Sequence, residues 1–238
     1  MSITIILLSG PSCAGKTPLI KALRRTFPAV IFGQPVLYTS REPRPHEVEG
    51  EDYFFRSQEE IKTLPPDRFV IAKTRHLWQA IDVDQVNGLA QQYDLLIFDV
   101  HPTLVKHFVE HERIQQRSNM HVTRIFLQPA ALDEIKEFEQ NKGYDSEQEA
   151  AAAIMEPKLI SRARQQGKEL TPEVKEDIRI RASHAWEEIL TGQDYDYIIL
   201  NHDSEDSPHW NETPPQGEAG AALQQFVHII TSIKSQQK

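Results

Sequence analysis

Short, unbroken apolar runs alternate along this chain with segments whose apolar residues recur every three or four positions. Ile3–Leu8 is a continuous apolar run closed by Ser9-Gly10, as expected of a strand buried on both faces. Lys16–Phe27 follows as a helix, with Leu19, Ile20, Leu23 and Phe27 on one stripe. Leu37–Thr39 and Tyr53–Phe55 read as strands flanking a polar, proline-rich segment, Ser40–Asp52. Ser57–Thr63 is a short helix ended by Pro65-Pro66, and Phe69–Lys73 a strand. Val83–Gln91 reads as a helix, Leu95–Phe98 as a second buried strand, His101–His111 as a helix and Arg124–Leu127 as a third buried strand. The polar middle, Ala130–Leu190, reads as helices broken near Gly143, Pro157, Gly167 and Pro172. Tyr197–Leu200 is a late strand, Ser204–Gly217 a loop, and Ala221–Ile233 a closing helix. This alternation predicts an α/β fold, a parallel sheet covered by helices.

Length and charge narrow the picture. The 238 residues are 39% hydrophobic and 26% charged, ordinary for a globular chain and too apolar for wholesale disorder. No apolar run approaches the ~20 residues of a membrane helix, and Met1–Leu8 lacks the basic flank and cleavage site of a signal peptide. No membrane partner is therefore expected. The one cysteine, Cys13, cannot form an internal disulfide, which fits a reducing, cytoplasmic setting. The net charge of −9 argues against a nucleic-acid partner. Residues 1–45 nevertheless carry six basic groups against Glu42 alone, so one cationic stretch is kept on an acidic chain. Such a stretch suits a small anion.

The stretch holds a motif. Gly10-Pro-Ser12-Cys13-Ala14-Gly15-Lys16-Thr17 fits G-x-x-x-x-G-K-[ST] and lies between an expected strand and an expected helix. Glycines let backbone N–H groups face a phosphate, and the helix N-terminus adds partial positive charge. Lys16 would reach the β- and γ-phosphates of ATP, and the Thr17 hydroxyl would hold Mg2+. Cys13 reads as a small filler of that loop, with a redox thiol as the other reading. Further on, Arg41 and Arg44 are spaced stiffly by Pro43, able to grip one phosphate, and Tyr53 can add a hydroxyl donor.

These segments together resemble the guanylate kinase family. Its GPSG-x-GK-[ST] loop, T-T-R-x-P-R-x-G-E-x-x-G-x-D-Y-x-F segment, strand ending in Asp and late Y-D-Y-x-I-x-N have counterparts in Gly10–Thr17, Thr39–Phe55, Leu95–Asp99 and Tyr195–Asn201. The resemblance implies a parallel-sheet P-loop kinase core at about 1–36, 92–130 and 172–238. It also implies an acceptor-binding region at about 37–91 and a helical lid at about 131–171, all in one domain. It implies ATP as co-substrate with Mg2+, and transfer of the γ-phosphoryl group to a phosphorylated acceptor, GMP by family default. Arg41, Arg44 and Tyr53 would hold the acceptor phosphate, and Asp99 would serve the metal's water shell. Arg181 would contact the transferring phosphates, Arg162 and Arg164 are the lid arginines, and Asn201 would lie near adenine.

The departures cluster where the family reads guanine. Ile71 and His101 stand where carboxylates are expected, Leu37 stands for a serine, and Trp78-Gln79-Ala80-Ile81 replaces a Tyr-Gly-[ST] loop. A site without those partners should discriminate weakly for guanine. The alternatives to GMP are a non-guanine nucleotide, a sugar phosphate such as a ribose bisphosphate, or a non-catalytic phosphopeptide-binding module. Other motifs read as incidental. His107-Phe-Val-Glu110-His111 matches H-x-x-E-H, yet a solvated helix face accounts for it, and Trp210 reads as a local packing anchor.

Overall fold

In the computed structural model, residues 2–44 and 47–236 are described; Met1 of the first apolar run and Pro45 and His46 of the arginine segment lie outside them. In chain order the elements are β1 (Ile3–Ser9), α1 (Lys16–Thr26), β2 (Leu37–Thr39), β3 (Tyr53–Phe55), α2 (Gln58–Lys62), β4 (Phe69–Thr74), β5 (Leu77–Asp82) and α3 (Val83–Leu89). There follow β6 (Leu95–Asp99), α4 (Pro102–Glu110), α5 (Glu112–Gln115), β7 (Met120–Gln128), α6 (Leu132–Lys142) and α7 (Glu147–Gln165). The chain closes with α8 (Pro172–Ser183), α9 (Ala185–Gly192), β8 (Tyr197–Leu200), a 3-10 turn at Pro208–Asn211 and α10 (Gly217–Gln236). Two compact units result: residues 2–8 with 31–124, and residues 9–30 with 125–236.

In the first unit β1 pairs in parallel with β6, Thr4 beside Leu95 through Leu8 beside Asp99. Both strands bury their apolar residues almost completely, as their unbroken apolar runs require. A second sheet runs β3-β2-β5-β4, with β2 parallel to β3 and antiparallel to β5. β4 and β5 form a tight hairpin, Thr74 opposite Leu77. Trp78–Ile81 is therefore strand, not loop. Arg75, at φ 56°, makes the turn in the left-handed region without a glycine to mark it. Helix α2 begins with a capping box, Glu60 N–H on the Ser57 hydroxyl and Ser57 N–H on the Glu60 carboxylate. It lays Ile61 on Phe69 and Ala80 of the sheet.

In the second unit β7 pairs in parallel with β8, Ile125 beside Tyr197 through Gln128 beside Leu200. Phe126 packs with Ile135 of α6, Ala150 and Ala151 of α7 and Ile189 of α9. Pro157 does not break α7, although it removes one helical N–H, at about 3 kcal/mol in a free helix. Met155 before it and Leu159 and Ala163 after it are buried in one cluster, which holds the two halves in line. The Lys158 side chain adds a tie, its ammonium donating to the carbonyls of Pro129 and His202 at 3.2 and 2.9 Å. The break between α8 and α9, at His184, carries neither glycine nor proline. No helix among the described residues is long and apolar enough to cross a membrane.

Candidate active site

The strand-to-helix loop of the second unit is built on two glycines that cannot be replaced freely. Gly10 has φ 151°, and a Cβ there would press on the Leu127 carbonyl, closer than real atoms approach. Gly15 has φ 95°, and its Cβ would meet Asn201 Nδ2 at 2.9 Å and the Trp210 ring at 3.0 Å. The loop is thus walled from behind. Asn201 is fully buried; its amide donates to Ala14 O at 2.8 Å and Asp203 O at 2.7 Å. Its N–H groups brace the loop, while its Oδ1 is buried without a hydrogen-bond partner. Trp210 is buried and donates its indole N–H to Ser204 O, the packing anchor expected of it.

Lys16 folds back over the loop, donating to Gly10 O and Pro11 O at 2.9 and 3.0 Å. Thr17 follows in the first turn of α1, exposed. Arg181 on α8 reaches Ser12 Oγ at 3.4 Å while its Nε is held by Asp177 at 2.7 Å. Arg162 on α7 pairs with Glu205 at 3.1 Å, and Glu205 N–H bonds Cys13 O. Two arginines from different helices thus stand at one loop. Arg164, two residues along α7, does not join them: it is exposed and lines a groove with Tyr144, Glu156 and Pro157. Glu205 was not foreseen, and only its acidic run after Asn201 could have pointed to it.

Cys13 sits at φ 68°, where the resemblance expects glycine, and its side chain is buried among Met155, Leu159 and Ala163 of α7 and Ile178 and Ala182 of α8. Burial pushes the thiol up to about 11, with Arg162 opposing. A thiol so protonated is a packing atom, not a redox centre.

The first unit carries the second cluster. Arg41 forms a bidentate pair with Glu47, at 2.7 and 2.9 Å, and Glu47 also accepts the Arg44 N–H at 2.7 Å. Burial raises the Glu47 carboxyl, but the bonds from Arg41 and Arg44 outweigh it and hold it below its ordinary range. The Arg41 guanidinium lies 5.1 Å from the Tyr53 ring centre and 5.7 Å from that of Phe55. Burial and then the Asp99 carboxylate push the Tyr53 hydroxyl up to about 12, so it remains a donor at neutral pH. Arg41, Arg44, Tyr53 and Asp99 are therefore brought together. Glu47, which organises the arginines, was passed over in the sequence although it stands in the matching segment.

Two readings of the base pocket change. Ile71 is not on the Tyr53 side of its sheet: it pairs with Ala80 and packs with Ile61 and Phe69 beneath α2. His101 caps α4, its Nδ1 accepting the Thr103 N–H at 3.2 Å, so the neutral ring's other nitrogen carries the proton. The histidines of H-x-x-E-H bond backbone instead, His107 to Ile71 O and His111 to Pro66 O. Among the described residues no three His, Cys, Asp or Glu side chains cluster to hold a metal.

A glycine-built loop opening a helix, with a lysine folded over it and arginines converging on it, defines a P-loop phosphate-binding protein. The family model for guanylate kinase matches residues 2–159. The guanylate kinase of Mycoplasma mobile is 32% identical over 160 residues, covering 65% of this chain and 77% of that one. That of Escherichia coli K12 is 29% identical over 205 residues, covering 84% and 81%. The crystal structure of guanylate kinase from Anaplasma phagocytophilum shares the fold, with TM-score 0.57 at 18% identity over 97% of this chain and 86% of that one. The chain belongs to the guanylate kinase family and is an ATP-dependent phosphotransferase.

Proposed function

We propose that this chain transfers the γ-phosphoryl group of MgATP to the phosphate of a small phosphorylated acceptor. The observation that carries the reading is the loop Gly10–Thr17 with Lys16 folded over it and Arg181 on Ser12. The intact loop and Lys16 favour an enzyme over a phosphopeptide-binding module. In this reading Lys16, Arg181 and Arg162 neutralise the phosphates of ATP, and Arg41, Arg44 and Tyr53 fix the acceptor phosphate. An acceptor phosphate oxygen attacks Pγ in line, and the bond from Pγ to the β–γ bridging oxygen breaks, releasing ADP. Positioning and charge neutralisation suffice, so the absence of a strong general base among these residues is no obstacle. The Thr17 hydroxyl and the Asp99 carboxylate are hard oxygen donors of the kind Mg2+ takes; with ATP the metal supplies charge neutralisation. Helices α6 and α7 serve as the lid, and the reaction belongs to the cytoplasm.

GMP is the family's acceptor, but the sheet face that carries Tyr53 favours another. Among Leu37, Thr39, Val70, Ala72, Thr74, Gln79 and Ile81 there is no carboxylate, and His101 offers an N–H. Guanine presents N1–H and an amino group, and each donor left unpaired on burial costs about 1–3 kcal/mol. One such loss weakens binding about 5- to 150-fold. An ADP-release assay over GMP, AMP, UMP, CMP and ribose phosphates tests both statements. ADP release is expected only with a phosphorylated acceptor, with GMP not the best. Hydrolysis of ATP unaffected by any acceptor would sink the transfer reading; GMP far ahead of the rest would sink the second.

A further inference from the structure

The sheet β3-β2-β5-β4 has two unlike faces, because residues paired across strands share a side. One face, with Tyr38, Phe69, Ile71, Trp78 and Ala80, is apolar and lies beneath α2. The other carries the row Phe55, Thr39, Gln79 and Ala72, fixed by the pairings Thr39 with Phe55, Thr39 with Gln79 and Gln79 with Ala72. Tyr53 stands on this second face, two residues before Phe55, and its hydroxyl feels Asp99, Arg41 and Arg44. The Thr39 hydroxyl, directly across from Gln79, accepts the Arg41 N–H at 3.4 Å and makes no hydrogen bond to the Gln79 side-chain oxygen.

Gln79 is different. Its side-chain oxygen is buried yet has no hydrogen-bond partner, while the residue as a whole is half-buried. Buried amide oxygens are nearly always paired, so one left open beside phosphate-directed arginines asks for an explanation. Its neighbours Ala72, Val70 and Ile81 offer no donor side chain. We propose that Gln79 is a specificity-determining residue, its Oε1 accepting a hydrogen bond from an N–H or O–H of the acceptor whose phosphate Arg41, Arg44 and Tyr53 hold. The proposal rests on the phosphotransfer reading above. The shared chemistry is a donor on a phosphorylated small molecule; a nucleobase N–H and a sugar hydroxyl are its two sources.

The test compares the full wild-type chain with Gln79→Leu, by ADP release and thermal melting, over GMP, AMP, UMP and CMP in one arm and ribose 5-phosphate in the other. The arm in which the wild type is active identifies the source of the donor. For the best acceptor, Gln79→Leu is expected to raise KM about tenfold, leave the KM for ATP unchanged and leave Tm unchanged or higher, since no intramolecular bond is lost. A structural glutamine would instead lower Tm. Gln79→Met, equal in length, carries the test if the leucine variant does not fold. A wild-type acceptor KM in the variants, or a fall in Tm beside the KM change, overturns the role of Gln79 alone. A wild type that turns over none of these acceptors overturns the phosphotransfer reading, and this proposal with it.

Discussion

Cys13 is the one cysteine of the chain, so thiol chemistry reports on a single atom inside the phosphate loop. Its side chain is 2% exposed, and burial lifts its pKa from 9.0 to about 11. At pH 8 a thiol of that pKa is ionised to about one part in a thousand, against about one in ten at its ordinary value. Since the thiolate is the nucleophile, ionisation alone slows alkylation about a hundredfold, and steric burial slows it further. Iodoacetamide labelling followed by mass spectrometry should therefore be at least about a hundredfold slower in the native protein than in the denatured chain at pH 8. The native rate should climb about tenfold per pH unit from pH 7 to 10, while the denatured rate levels off near pH 9. The same shift links to stability. The folded state favours the protonated thiol, so this contribution is whole below pH 9 and is lost as pH rises to 11, at most about 3 kcal/mol. Native labelling as fast as denatured, or a native plateau near pH 9, would refute the burial of Cys13 and its packing on α7 and α8.

Lys16→Ala is expected to abolish phosphoryl transfer with little change in Tm, since Lys16 sits in the loop donating to the carbonyls of Gly10 and Pro11 and its loss opens no core cavity; turnover at the wild-type rate would remove the loop from the chemistry. Arg41→Ala should raise the acceptor KM strongly and the ATP KM little, and the reverse split in steady-state kinetics would reassign the segment. Gly10→Ala sets a side chain against the Leu127 carbonyl at φ 151°, so a loss of about 2–5 kcal/mol in denaturant unfolding is expected. Gly88→Ala, inside α3 with nothing within 4 Å of the new Cβ, should add about 0.5–1 kcal/mol; a loss there would show the site is not open.

Most strands and the loop were legible because their signals are local. Ile3–Leu8, Leu95–Phe98 and Tyr197–Leu200 are unbroken apolar runs, and the Gly10–Thr17 spacing is set by the phosphate it serves. What was hidden depends on partners. The β4–β5 hairpin turns at Arg75 and His76, which carry no glycine signal, so β5 was unseen. Without β5 there was no register to say which face of β4 carries Ile71. Pro157 looks like a helix end from its own chemistry, and only burial on both sides of it says otherwise. Asn201 and Glu205 act on backbone groups and an arginine distant in sequence, beyond what spacing reveals, whereas Glu47 is near Arg41 and Arg44 in sequence and only the fold of the segment turns its carboxylate onto them.

The wall behind Gly15 has a consequence for what counts as the recognisable part of this chain. The stretch matched by the family ends at residue 159, yet Asn201 and Trp210 back the loop, and Ile178 and Ala182 close over Cys13. A fragment cut at that boundary would keep every signature residue of the loop and lose its supports. The stretch that the family model matches is thus not a self-sufficient module. Asn201 and Trp210 stand against a glycine nearly two hundred positions earlier, so the chain beyond residue 159 is bound to the loop's fate.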